Sequence, residues 1–361
     1  MGVHAVELVV GIVSAVLVLR SNLGSMLRVL ATWTMISAVR GLATMSPTTL
    51  ERLVAPRTCC GAPVARILLL GDGDLSCSAA VADAATVEVV PTTFESPASL
   101  EELYGGDARR RADGLAAVYG VDATAPQALG RFDRVVFNFP HAPGKQNIRR
   151  NRELLRAACA NVERSLLAPR GELVVALDGG QAGTAPDLRG ASDDAARIQA
   201  FKASWQLDVA AADAGLLVAE SSRFAPFYET RSHRLRRFSP RDARLHCLAR
   251  DGELAGVEDA PACYTFEVQL FGVDGDVARV SAVAEATSTL VADVRHVDAY
   301  VHRDARTSHA FQIALGSRSV ALTRDTADAA RVAIEAEFDR RFEVRRSKAG
   351  HRVSAPRPWV S

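Results

Sequence analysis

The sequence predicts an α/β fold with a parallel sheet and helices on both faces, followed by a smaller α+β unit of βαββαβ order. Three observations carry this. A short all-apolar run, Ile67 to Leu70, meets Gly71-Asp72-Gly73-Asp74 and then an Ala-rich helix candidate. Strand and helix signals alternate from there to Glu220, the pattern of a parallel sheet. After a polar stretch at 251–260 the rhythm changes to strand, helix, two strands, helix, strand.

Bulk properties set the bounds. The 361 residues suffice for two domains with their own cores. Hydrophobic content of 48% and charged content of 24% are those of a globular chain. A net charge of +1 excludes a global basic field, so nucleic-acid binding would have to use local patches. Only Lys145, Lys202 and Lys348 are lysines among 43 basic residues, which fits a GC-rich genome and discounts arginine richness as a signal. Of the six cysteines none forms a C-x-x-C pair, and no Cys/His set has zinc spacing, so no metal is expected.

Residues 1–60 are poor in acids, with only Glu7 and Glu51. The apolar run Val3 to Leu19 is short for a membrane span and carries Glu7. A leader, transit-like or upstream extension is preferred to a membrane helix. Arg66 to Leu70 is the first strand, bounded by glycines and buried on both faces. Ser76 to Ala85 is a helix and Thr86 to Phe94 a second strand, ending at Glu95. Ser99 to Asp113 is helical, and Leu115 to Val121 is a third strand ending at Asp122. Phe132 to Phe139 is a fourth strand, Asn151 to Leu167 a helix, and Glu172 to Leu177 a fifth strand. Asp178 to Ala195 reads as a surface loop, Phe201 to Ala212 as a helix and Leu216 to Glu220 as a strand. Phe224 to Arg237 mixes aromatics with arginines, which suits RNA contact or an exposed hairpin edge equally. In the second unit, strands are expected at 264–272, 294–301, 309–315 and 342–346, with helices at 276–291 and 324–342. A tail follows at 348–361.

Ligands of such sheets sit beyond the carboxyl ends of the strands, and the polar signals fall there. Gly71, Asp72, Gly73, Asp74 and Ser76 form a glycine turn with acids beside it. It matches neither G-x-G-x-x-G nor the phosphate loop, and carboxylates repel phosphate. The composition suits a nucleoside carrying a cationic centre, such as S-adenosylmethionine. Glu95 could accept ribose hydroxyls and Asp122 could face the adenine amine, although an isolated Asp is more often a cap or turn residue. Asn138-Phe139-Pro140-His141 ends the fourth strand. An Asn oxygen and a prolyl-turn carbonyl there can hold a base N–H, and His141 can take a proton near neutral pH. The competing reading is a plain turn after a strand.

Several blocks carry a family resemblance: LLLGDGDLSCSAAVA at 68–82, YGVDAT at 119–124, FDRVVFNFPH at 132–141, NRELL at 151–155, and GELVVAL with GGQAGT at 171–184. Together they resemble the domain of the 25S rRNA (uridine-N3)-methyltransferase family. VRHVDAYVH (294–302), RTSHAFQIAL (306–315) and RSVALTRDTADAARVAI (318–334) are similar to the ferredoxin-fold anticodon-binding (FDX-ACB) domain of phenylalanyl-tRNA synthetases. The resemblance implies a Rossmann-like SAM-methyltransferase domain and a ferredoxin-like RNA-binding module. It carries over the donor-site residues from Gly71 to Ser76, Asp122, and the base-site loop Asn138 to His141. The chain departs from the family where Leu75 and Cys77 replace aromatics, where Asp72 replaces a glutamate, and at Asp178, where the rRNA enzymes tend to have lysine.

The expected organisation is 1–60 extension, 61–250 methyltransferase domain, 251–260 linker, 261–347 anticodon-binding-like domain and 348–361 tail. The expected function is SAM-dependent methylation of an RNA base, with uridine N3 of large-subunit rRNA implied by the resemblance. The alternative is a non-catalytic RNA-binding protein that keeps the fold. RNA, ribosomal or transfer, is the expected partner, with no DNA and no membrane. The expected location is cytoplasm or nucleolus, or the mitochondrion if the N-terminal extension is a transit segment.

Overall fold

A computed structural model describes residues 48–57, 60–144, 147–231, 238–345 and 353–359. The expectations for Val3 to Leu19, and for the 232–237 part of the aromatic and arginine stretch, lie outside these. Among the described residues no helix is long and apolar enough to cross a membrane.

The first sheet has six strands: β1 (Arg66–Leu69), β2 (Glu88–Pro91), β3 (Phe132–Asn138), β4 (Leu167–Leu177), β5 (Leu216–Arg223) and β6 (Arg244–Arg250). Their order is β2-β1-β3-β4-β6-β5. β1 to β4 are parallel, whereas β6 runs antiparallel to both of its neighbours. This is a Rossmann-like, doubly wound sheet that reverses its order between β1 and β3, where ligands of such sheets sit. Alternate residues of β1 enter different cores: Leu68 on one face, Ile67 and Leu69 on the other. That two-sided burial is why the run is wholly apolar.

The helices are α1 (Thr49–Val54), α2 (Ser76–Ala84), α3 (Pro97–Tyr104), α4 (Gly106–Gly114), α5 (Ile148–Asn161), α6 (Ala185–Leu188), α7 (Asp194–Ala203) and α8 (Leu207–Ala212). The second sheet contains β7 (Tyr264–Phe271), β8 (Val291–Val301), β9 (Thr307–Leu315) and β10 (Glu343–Arg345), in the antiparallel order β10-β7-β9-β8. With α9 (Val277–Thr287) and α10 (Arg324–Arg341) it makes the expected ferredoxin-like βαββαβ unit. Phe266, Val268, Phe311 and Ile313 of the sheet form one core with Val280, Ile334 and Phe338 of the helices.

Several elements differ from expectation. The third strand shrinks to one parallel bridge between Val118 and Thr92, because Ala116 (φ 51°) and Gly120 (φ 70°) break the extended run. β6 has no counterpart among the expected elements. The single helix expected at 201–212 is two, α7 and α8, parted at Gln206 with φ 56°. The supposed surface loop after β4 is partly inside: Ala182, Thr184 and Leu188 are buried. In the 251–260 stretch expected as a linker, Asp251 accepts the Ala321 N–H at 3.0 Å and Val257 N–H donates to the Arg318 carbonyl at 2.8 Å. Residues 353–359 of the tail run beside the start of β7, where Cys263 and Arg357 exchange backbone hydrogen bonds.

The end of the 1–60 segment also belongs to the fold. Leu53 of α1 is fully buried among Val64, Ile67 and Val136. Arg134 of β3 and Glu172 of β4, each 1% exposed, form an ion pair in which Arg134 Nε donates to Glu172 Oε1 at 2.7 Å. Arg134 Nη1 donates to the carbonyls of Arg52, Leu53 and Ala55 at 2.6–3.0 Å, closing the end of α1. Helix ends leave such carbonyls unpaired, and here a buried guanidinium takes them. Arg134→Met should lower the unfolding free energy by about 3–5 kcal/mol, because the buried Glu172 carboxylate loses its guanidinium counter-charge. Arg134→Met with Glu172→Met should recover part of that loss in denaturant titration. Deuterium uptake at residues 49–57 should rise in both.

His246 of β6 is buried and meets Ser221 Oγ through Nδ1 at 2.8 Å. Burial, helped by nearby Arg244, pulls its pKa down to about 3. The unfolded chain takes up this proton near the ordinary value and the folded chain does not, so the associated stability is lost as pH falls below about 6.5. Between pH 7 and 5 the wild type should lose about 2 kcal/mol more than His246→Asn, measured by urea unfolding.

Candidate functional site

The turn after β1 is shaped by its glycines. Gly71 has φ 65°, and a Cβ there would lie 3.3 Å from the Phe137 ring. A Cβ on Gly73 would lie 2.5 Å from the Tyr104 hydroxyl. Asp72 N–H donates to Thr92 O at 2.9 Å, and Asp72 Oδ2 accepts the Ser78 N–H at 2.6 Å. Burial pushes the Asp72 carboxyl up to about 6, against the lowering effect of Ser78. Asp74 is turned inward: Oδ1 accepts from Ser76 N and Oγ at 3.1 and 2.5 Å, and Oδ2 from Arg111 Nη2 at 3.2 Å. Asp74 and Ser76 therefore fix the turn and the start of α2.

Glu95 and Asp122 lie past the end of β2 and its bridge. The Glu95 carbonyl accepts the Gly120 N–H at 3.2 Å. Burial and then the charge of Glu95 hold the Tyr104 phenol up at about 12. Asp122 Oδ1 accepts from Thr124 N and Oγ1 at 2.8 and 2.7 Å, the turn role that a lone Asp so often has.

The loop after β3 joins this turn from the neighbouring strand. Asn138 Nδ2 donates to Cys77 Sγ at 3.0 Å, linking the end of β3 to the first turn of α2. Asn138 Oδ1 is buried and has no hydrogen-bond partner among the described residues. Phe139 takes φ 47° and turns its ring inward, edge-on to Phe224 and Phe238 with centroids at 5.0 and 5.3 Å. Pro140 is buried. His141 is exposed and lies edge-on to Trp205 at 5.1 Å.

Two contributors were missed by sequence reasoning. Asn151 of α5 is 1% exposed; its Oδ1 accepts the Ala142 N–H at 2.9 Å, and its Nδ2 has no partner among the described residues. Its only sequence signal was its place at the head of NRELL. Tyr228 lies within hydrogen-bond reach of Cys77 and Asn138, and burial raises its phenol pKa well above the ordinary value. Phe224 to Tyr228 thus lie against the site, with Phe224, Phe227 and Tyr228 in mutual ring contact. The structure brings together Gly71 to Ser76, Cys77, Asn138 and Tyr228. His141 lies on Trp205.

Known sequences match the same part of the chain. Residues 68–234 match the sequence model of the BMT5-like family, described as rRNA (uridine-N3-)-methyltransferase BTM5-like. The Mus musculus ferredoxin-fold anticodon-binding domain-containing protein 1 homolog is 34% identical over 177 residues, 44% of this chain and 26% of that protein. The Homo sapiens ferredoxin-fold anticodon-binding domain-containing protein 1 is 31% identical over 173 residues, again 44% and 26%. The chain thus spans about a quarter of the length of these curated relatives. Among solved structures, the glycopeptide N-methyltransferase MtfA complexed with S-adenosyl-L-methionine covers 52% of this chain and 81% of its own, at 15% identity and TM-score 0.32. So loose a superposition fixes neither a ligand nor a reaction.

The contact between Gly73 and Tyr104 is testable alone. Gly73→Ala should destabilise the chain by about 1–3 kcal/mol through overpacking. In a Tyr104→Leu background the same change should cost less than half as much, as read from a double-mutant cycle by thermal unfolding.

Proposed function

We propose that the chain is an S-adenosylmethionine-dependent RNA base methyltransferase acting on the N3 of a uridine in large-subunit rRNA. The observation that carries the reading is Asn138 Oδ1, a buried acceptor with no partner among the described residues, held beside the Gly71 turn by the Cys77 contact. A buried polar atom without a partner costs free energy unless a ligand supplies one. Asn151 Nδ2, also buried and without a partner among the described residues, offers a donor beside the same loop. An acceptor and a donor together suit an imide edge, where N–H lies beside C=O, and uracil has that edge. The BMT5-like match supports the same substrate.

The donor half fits a cationic nucleoside. Gly71 and Gly73 let the Phe137 and Tyr104 rings pack directly on the turn, which holds its backbone in place at the strand end. Asp72 is a carboxyl that burial holds partly protonated, and a neighbouring positive charge would favour its ionised form. Asp72 and Glu95 are the residues that would hold the donor, with Asp74, Ser76 and Asp122 fixing the turns beside them. When bound, S-adenosylmethionine supplies an electrophilic methyl group.

The chain's own residues bind, orient and deprotonate. Asn138 and Asn151 fix the base edge, and a target in structured RNA must first leave its stack to reach them. Asn138 Oδ1 accepts the N3–H as the base docks; His141, exposed in the same loop, then takes that proton directly or through water, and the N3 lone pair so freed turns from Asn138 to the methyl group. Alignment of the nitrogen with the methyl group supplies the rest of the rate. Ribosomal RNA as substrate fits the nucleolus or cytoplasm, or the mitochondrion if the N-terminal extension is a transit segment.

Calorimetry on the full chain with S-adenosylmethionine, then transfer of labelled methyl to total RNA from cells lacking the gene, tests this. Donor binding and labelling of one uridine position are expected. His141→Ala should bind donor unchanged and transfer at least about 100-fold more slowly. An unchanged rate would remove the base role, and failure to bind donor at high micromolar concentration would remove the enzyme.

A further inference from the structure

Past the loop after β3, the carboxyl end of β4 opens into a groove of about 540 Å³. Its walls are Ile148 at the start of α5, Ala200 and Ala203 of α7, and Gly180 with Gln181; Trp205 also lines it. Among the described residues no lining side chain is charged. The walls are braced. Arg152 of α5 donates from Nε to the Ser204 carbonyl at 3.0 Å and from Nη2 to the Lys202 carbonyl at 2.7 Å, which sets the spacing of α5 and the end of α7.

Two features identify the occupant. The first is continuity: His141 of the Asn138 loop lies edge-on to Trp205, which lines the groove. The second is charge. Arg149 and Arg150 occupy the first turn of α5, which holds no acid; Arg149, its side chain 88% exposed, pairs with Glu153 one turn on at 2.9 Å, and Arg150 is exposed. Cations at a helix N-terminus oppose its dipole, and an anion beside them relieves that opposition. An uncharged cleft with a basic rim, adjoining a base site, suits a single strand of nucleic acid, with a base inside and phosphates on the rim.

Gln181 adds selectivity. Its Oε1 accepts the Asp178 N–H at 3.1 Å, which leaves Nε2 as the amide's donor. Bidentate reading of adenine needs both amide atoms, and one is already engaged. A lone amide donor can meet a carbonyl oxygen directly, whereas on adenine the acceptors N1 and N7 each flank the N6 amine, for which Gln181 has no acceptor left.

We propose that this groove holds the unpaired nucleoside next to the methylated one in the RNA strand, and that Gln181 selects a carbonyl-bearing base there. The proposal rests on the RNA methyltransferase reading of the adjoining site.

Fluorescence anisotropy of the full chain with labelled oligouridine and oligoadenosine tests it, beside calorimetry with S-adenosylmethionine. Ala200→Glu places a carboxylate in the groove from an exposed helical position. It should weaken oligouridine binding by about tenfold or more, the worth of one seated base, with donor binding unchanged. Gln181→Glu keeps an acceptor for the Asp178 N–H and removes the donor. It should lower the oligouridine-to-oligoadenosine affinity ratio by about threefold or more, a ratio from which general charge repulsion cancels. Full oligouridine affinity in Ala200→Glu, or donor binding by the wild type without oligouridine binding, would overturn the groove and leave the methyltransferase reading standing. Absence of donor binding together with groove-dependent RNA binding would do the reverse.

Discussion

The site depends on a charge buried in the middle of the sheet. Arg134 lies on a central strand where an apolar side chain would be expected, and removing a guanidinium from water is expensive. Glu172 neutralises it, and the carbonyls at the end of α1 take its remaining N–H groups. The consequence reaches further. α1, so fixed, presents Thr49 Oγ1 to the Ala225 N–H at 2.7 Å, and Arg52 pairs with Glu220 near the end of β5. These contacts seat the 224–231 segment, which carries Tyr228 to Cys77 and Asn138. A chain of polar contacts therefore runs from the sheet centre to the strand ends where the ligand is proposed to bind.

That chain explains what could be read from the sequence and what could not. The Gly71 turn was legible because its requirements are local: a buried strand, a residue with positive φ and a close approach. The Asn138 loop was legible for the same reason. α1 was not. It has six residues and no local signature of its own, and its stability comes from a guanidinium about eighty positions away. β6 escaped because a short run inserted antiparallel between β4 and β5 acquires its identity from its neighbours. Asp74 and Asp122 were found at the right strand ends, but sequence cannot tell a carboxylate that faces a ligand from one that bonds its own turn. In both cases a hydroxyl two residues on, Ser76 or Thr124, takes the oxygen.

The second sheet was legible for a different reason. Each of its elements is regular and consecutive, so period and order suffice. Its join to the first sheet is not sequence-local. Ala212 and Leu217 of the first unit share a small apolar cluster with Val257 and Ala321. A stretch that looked like a polar linker thus spends Asp251 and Val257 on contacts between the two sheets.

Cys77 shows how a single residue that departs from the pattern the chain resembles shapes the site. An aromatic at this position would fill the space where Asn138 and Tyr228 converge. A thiol is small, and burial together with Asp72 keeps it protonated by raising its pKa well above the ordinary value. A neutral thiol sulfur is a weak acceptor that can take the Asn138 amide N–H without adding a second negative charge beside Asp72. Once Nδ2 is bound there, the amide can no longer rotate freely, and its oxygen is the atom left for another molecule. The donor turn and the base loop are therefore coupled through a single sulfur. The orientation of the acceptor follows from a residue that the motif comparison alone would score as a mismatch.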